Sequence, residues 1–124
     1  MNIKPKILIC DDDSEILQTL HLSLRSSFEI VTVNNVDKAK QIVQTNYFDA
    51  AVIDLNFEGQ EHDGIYLLDF MSKTTAGTFL IVLSGDTSAK RIVEATRRRL
   101  FEFIVKDDNY FEVLLSTLKK ATQL

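Results

Sequence analysis

The chain has 124 residues, 45% of them hydrophobic and 26% charged, which is the size and makeup of one ordinary globular domain. Its net charge of −4 argues against direct nucleic-acid binding, which relies on basic patches. A single cysteine excludes an internal disulfide, and no apolar run approaches the roughly 18 residues of a membrane span, so a cytoplasmic protein is expected.

Pro5 precedes the first apolar run, Lys6–Cys10, where it interrupts nothing. That run reads as a strand, with Cys10 a buried structural thiol. Asp13 or Ser14 then caps a helix whose apolar stripe is Ile16, Leu20 and Leu24, with Leu17 beside it. Ile30–Val33 reads as a second strand, followed by a cap at Asn34 or Asn35 and the stripe Val36, Ala39, Val43. Ala50–Asp54 is a third strand, and Ile65, Leu68 and Met71 mark a third helix. Gly77 and Gly85 supply turns around a fourth strand, Phe79–Leu83. Ile92, Val93, Thr96 and Leu100 suggest a fourth helix, and Glu102–Val105 a fifth strand. A cap at Asp107 or Asp108 opens a last helix with Phe111, Leu114, Leu115 and Leu118 inward. Arg97-Arg98-Arg99 point in different directions around a helix and read as a solvated face. His21 and His62 have no metal-ligand partners at suitable spacing and receive no role.

Strands without polar alternation, each followed by a helix, predict an α/β protein with a parallel sheet buried on both faces. Five strands favour the flavodoxin-like, three-layer doubly wound order 2-1-3-4-5 over residues 1–124 as one domain. Ligands in such sheets bind beyond the carboxyl ends of the strands, where the order reverses. Strand 1 ends in Asp11-Asp12-Asp13, strand 3 in Asp54, strand 4 in Ser84-Gly85 and strand 5 in Lys106. Two carboxylates about 4 Å apart repel by roughly 4 kcal/mol at an effective dielectric near 20, so such a cluster calls for a cation. An oxygen-only ligand set favours Mg²⁺ and leaves one carboxylate free to attack phosphorus. Lys106 and the Ser84 hydroxyl then stand ready for phosphoryl oxygens, with room left by Gly85. Taken singly, each residue has a plainer account: Asp13 as a helix cap, Asp54 as a loop carboxylate, Lys106 as a solvated lysine.

Together, Ile7-Leu8-Ile9-Cys10-Asp11-Asp12, Ala51-Val52-Ile53-Asp54, Ser84-Gly85 and Ile104-Val105-Lys106 resemble the response-regulator receiver domain of two-component signalling. The resemblance spans nearly the whole chain. It implies that Asp54 accepts a phosphoryl group from the phosphohistidine of a sensor histidine kinase or phosphotransfer protein, and that this switches binding to an output partner. Asp11 and Asp12 match the acidic pair that holds Mg²⁺, and Asn56 the position whose backbone carbonyl completes the metal shell. Ser84 and Lys106 match the residues that grip the phosphoryl group, and Phe103 the aromatic that turns on switching. Asn56 and Asp86 match positions that tune hydrolysis, and their polarity predicts fairly quick self-dephosphorylation. The resemblance thus implies self-catalysed transfer rather than a separate enzyme. It admits a homodimer.

Three features depart from the family's pattern. The loop from Asp54 to Asp63-Gly64 is longer than usual and carries Glu58 and Gly59 where a proline is customary. Asp107 replaces the usual proline after Lys106 and stands as a competitor for its ammonium. These changes imply a rim shaped differently beside the family's usual signalling face on helix 4, strand 5 and helix 5. Two other functions fit parts of the sequence. One is a receiver-like module that works by contact without phosphorylation. The other is a haloacid-dehalogenase-type phosphatase with Asp11 as nucleophile and Asp13 as acid, which leaves Asp54 without a purpose.

Overall fold

The computed structural model describes residues 3–123. Ten elements alternate in the order β1 (Lys6–Cys10), α1 (Ser14–Leu24), β2 (Glu29–Val33), α2 (Val36–Thr45), β3 (Ala50–Ile53), α3 (Gly64–Thr74), β4 (Phe79–Ser84), α4 (Ala89–Thr96), β5 (Leu100–Val105) and α5 (Tyr110–Thr122). All strand pairs are parallel and the order is β2-β1-β3-β4-β5, the flavodoxin-like arrangement expected from the sequence.

Side chains of successive strand residues leave opposite faces of the sheet, and both faces are covered. Leu8, Cys10, Ala51, Ile53, Leu80 and Val82 pack under α2, α3 and Ala95 of α4. Ile7, Ile9, Ala50, Val52, Ile81 and Leu83 pack under α1 and α5. Each fully buried Leu or Ile contributes roughly 1.5–3 kcal/mol, so the three central strands anchor the molecule and fix where their carboxyl ends fall. Caps set the helix starts. Asp13 accepts from the Glu15 and Ile16 amides, Asn35 from Lys38 and Asp63 from Tyr66.

The fourth helix is shorter than its apolar spacing suggested. It ends at Thr96, and Leu100 belongs to β5. Val93, read as part of an inward stripe, is 47% exposed, and Ala95 is the buried contact. The physical reason lies in the arginine run. Arg98 reaches Asp69 on α3 and the Glu94 carbonyl. Arg99 donates to the Ser72, Met71, Thr75 and Thr78 carbonyls, satisfying the end of α3 and the turn after it. Two of the three arginines are therefore structural ties, and only Arg97 matches the solvated face expected of them. A second correction concerns α5. Its N-cap is Asn109, because Asp107 closes a turn by accepting from the Asn109 and Tyr110 amides through its side chain and carbonyl respectively.

β5 is an edge strand with a bulge. Leu80 pairs with Leu100 but Ile81 with Glu102, leaving Phe101 out of register and edge-on to Phe79 at 5.0 Å. Such irregularity blunts an edge against further pairing.

Candidate functional site

The carboxyl ends of β1, β3, β4 and β5 meet on one rim. Asp54 follows β3 directly, and its amide is held by the Cys10 carbonyl at 3.0 Å. The Asp11 amide is held in the same way by Val33 at 3.1 Å. The sheet register thus sets the two aspartates side by side. Carboxylate oxygens of Asp11, Asp12 and Asp54 lie within 4.8 Å of one another. Asp11 and Asp54 are buried and Asp12 is exposed.

Lys106 reaches into this cluster from the end of β5. Its Nζ lies 2.8 Å from Asp11 Oδ2 and 2.9 Å from Asp54 Oδ2. Among the described residues its ion-pair partners are Asp11 and Asp54 and not Asp107, whose Oδ1 accepts from the Asn109 amide. Three further carboxylate oxygens of the cluster are also held. Asp54 Oδ1 accepts from the Leu55 amide at 2.7 Å, Asp11 Oδ1 from Asp13 at 2.9 Å and Asp12 Oδ2 from Glu58 at 3.2 Å. The Asp12 contact draws the long β3–α3 loop over the site.

Electrostatics follow from this packing. Burial raises the Asp11 carboxyl above the usual carboxylate range, against the opposing hydrogen bonds from Lys106 and the Asp13 amide. Burial works to lower the Lys106 ammonium, but its hydrogen bonds to Asp11 and Asp54 outweigh that and leave it raised. Cys10, beneath the cluster, is pushed up to about 12, first by burial and then by the charges of Asp11, Asp54 and Asp12. A thiol in that state is inert, in keeping with a structural cysteine.

The other residues singled out in the sequence fall around the same rim. The Ser84 side chain is fully buried and its hydroxyl accepts from the Asp86 amide at 3.2 Å. Asn56 and Asp86 line a depression of about 430 Å³ together with Asp12, Asp54, Gly85 and Lys106. Phe103 stands apart, half-buried against the core under α3 and α4. Gly64 backs the site, and a Cβ there would lie 1.7 Å from the Asp54 carbonyl oxygen.

Sequence reasoning missed Arg91. Its guanidinium binds the Leu55 carbonyl, Asn56 and Asp63, and nothing in the spacing of α4 announced that reach.

The model of the response regulator receiver domain matches residues 7–118. The chain belongs to the response-regulator receiver family. Among curated relatives, the transcriptional regulatory protein GlrR of Escherichia coli is 30% identical over 108 residues. That match covers 86% of this chain and 24% of GlrR, so the chain spans about a quarter of the relative's length. A CheY-like receiver domain from Methanospirillum hungatei superposes with a TM-score of 0.88 at 22% identity, covering 98% of this chain and 96% of that one. The response regulator TrrA of Thermotoga maritima, solved in complex with Mg²⁺ and BeF, gives a TM-score of 0.83 at 23% identity, covering 96% and 99%. These structures share the receiver fold. Phosphorylation on aspartate and use of Mg²⁺ are typical of receiver domains, and family membership sets the dehalogenase-type phosphatase aside. Among the described residues, no helix of the receiver is long and apolar enough to cross a membrane.

Proposed function

We propose that residues 1–124 act as one receiver domain in which Asp54 is the phosphoryl acceptor. The observation that carries this reading is the Lys106 ammonium lying between Asp11 and Asp54, at 2.8 and 2.9 Å, inside a cluster of three carboxylates. The donor set is all oxygen, compact and partly open, which fits a hard divalent cation such as Mg²⁺. Asp11, Asp12, Asp54 and the Asn56 backbone carbonyl would hold it. When bound, Mg²⁺ supplies positive charge against the phosphoryl oxygens.

The chain's own residues do the rest. An Asp54 carboxylate oxygen attacks the phosphorus of a phosphohistidine on a sensor histidine kinase or phosphotransfer protein. The P–N bond breaks, the imidazole leaves with its electron pair and takes a proton, and an acyl phosphate forms on Asp54. Lys106, kept charged by its carboxylate partners, moves its hydrogen bonding to the phosphoryl oxygens and offsets their charge. The Ser84 hydroxyl turns to donate to another of those oxygens, and Phe103 repacks behind it. Val93 on α4, Phe101 and Val105 on β5 and Val113 on α5 are exposed apolar residues that give an output partner a surface to read.

Beryllofluoride stands in for a phosphoryl group on a carboxylate, and ¹⁹F NMR reads its binding directly. A bound fluoride signal that needs Mg²⁺ and is lost in Asp54→Asn is expected. A bound signal that persists in Asp54→Asn would overturn the assignment of Asp54. No bound signal on the wild type would favour a contact module that works without phosphorylation.

A further inference from the structure

The β3–α3 loop, the β4–α4 loop and α4 converge on one guanidinium. Arg91 stands in the first turn of α4, with its side chain only 17% exposed. Its Nη2 donates to the Leu55 carbonyl at 2.9 Å, to Asn56 Oδ1 at 3.2 Å and to Asp63 Oδ2 at 3.1 Å. Its Nε lies 3.7 Å from Asp86 Oδ2, and its Nη1 3.7 Å from Glu94 Oε2. With three carboxylates around it, this cation is compensated within the fold and is not presented as a docking charge.

What it grips matters more than its charge. Leu55 and Asn56 are the two residues after Asp54, and Asp86 lies two after Ser84. By binding Asn56 Oδ1, Arg91 fixes which way the amide faces, so that Asn56 Nδ2 donates to Asp86 Oδ2 at 3.2 Å. Asp86 is fixed from its other side by the Ser88 amide, at 3.0 Å from Oδ1. An exposed amide–carboxylate pair alone would exchange with water at little cost, whereas a charge-assisted donor from a mostly buried arginine holds its geometry. Both side chains line the depression that contains Asp54, and both keep hydrogen-bonding capacity for a water there.

We infer that Arg91 is a positioning residue for removal of the phosphoryl group from Asp54, acting by holding Asn56 and Asp86 at the mouth of the site. In that step water adds to phosphorus and the P–O bond to Asp54 breaks. The carboxylate leaves with the bonding electrons, and the protons of water remain on the released inorganic phosphate. Asn56 and Asp86 orient the water, and Arg91 orients them. This inference rests on Asp54 being the acceptor.

The test follows formation and loss of the acyl phosphate separately by intact mass, using acetyl phosphate with Mg²⁺ and then removing the donor. Arg91→Ala is expected to lose its phosphoryl group about fivefold more slowly than wild type, the scale of freeing two immobilised side chains. Formation should change by less than that. A general loosening of the fold would alter both, so the split between them marks positioning. In a background of Asn56→Ala with Asp86→Ala, removal of Arg91 should have no further effect on loss, because the groups it orients are gone. Arg91→Lys keeps the charge without the planar fork and carries the same test if Arg91→Ala does not fold, with slowing of about twofold expected. Equal loss in wild type and the Arg91 variants would overturn the inference, as would an undiminished effect in the double-alanine background. A wild type that takes up no phosphoryl group would instead overturn the acceptor reading, and this inference with it.

Discussion

Replacing Gly64 with alanine places a methyl group 1.7 Å from the Asp54 carbonyl oxygen, 2.7 Å from its carbon and 2.8 Å from Leu55 Cα. All three are backbone atoms, so no side chain can swing aside. Cβ atoms keep at least 3.0 Å from such neighbours, and the start of α3 must therefore draw away from the end of β3. That separation breaks the 3.0 Å hydrogen bond from the Gly64 amide to the Leu55 carbonyl, worth about 1 kcal/mol. Overpacking and backbone displacement in a close-packed region add roughly 1–3 kcal/mol. The sum is a destabilisation of about 2–4 kcal/mol, or a fall in Tm on the order of 10 °C for a domain of this size. Urea unfolding followed by far-UV circular dichroism measures it, with a midpoint shift of about 1–2 M at a typical slope. Gly85→Ala is the control, since a Cβ there meets nothing within 4 Å and its stability should stay within about 0.5 kcal/mol of wild type. Equal stability of Gly64→Ala and wild type would refute the close approach, as would equal losses in both variants.

Other consequences of the structure are open to measurement. Lys106→Met frees oxygens of Asp11 and Asp54 that the ammonium now occupies, so titration calorimetry should show Mg²⁺ binding about tenfold tighter or more; unchanged or weaker binding would contradict the competition. The Cys10 thiol, at about 12 against an ordinary 9.0, is about one part in ten thousand thiolate at pH 8, so iodoacetamide should modify it only after unfolding. The same raised value means that the proton is held more firmly in the folded state. Its contribution to stability is intact below pH 9 and is lost as pH rises toward 12, by at most about 1.4 kcal/mol per pH unit; a flat alkaline profile would argue against it. Arg99→Ala removes donors from carbonyls at the end of α3 and should cost about 1–2 kcal/mol, whereas exposed Arg97→Ala should change stability by less than about 0.5 kcal/mol.

The sheet was readable because its central strands are buried on both faces and carry no polar alternation, so the runs Lys6–Cys10, Ala50–Asp54 and Phe79–Leu83 could be little else than strands. With the strand order 2-1-3-4-5, the side-by-side placement of Asp11 and Asp54 follows from chain position, and Lys106 falls on the same rim at the end of β5, from which its side chain reaches them. Where several residues compete for one local role, the reading was weaker. Asp107, Asp108 and Asn109 all suit the start of α5, and a turn closed by Asp107 decided for Asn109. Leu100 fits a helical stripe through Arg97–Arg99, residues with good helix propensity, but the Asp69 carboxylate on α3 binds Arg98 and the carbonyls at the end of α3 and in the turn after it bind Arg99, and the helix stops at Thr96. Arg91 belongs to the same class. Its partners Leu55, Asn56 and Asp63 lie some thirty residues away on another loop, and only the packing of α4 against α3 brings them together.

Intact mass after incubation with acetyl phosphate, with and without Mg²⁺, on wild type and Asp54→Asn, tests the central claim most directly. The account predicts a gain of one phosphoryl group on the wild type that requires Mg²⁺ and is absent from Asp54→Asn. An adduct of the same mass that survives in Asp54→Asn would contradict it.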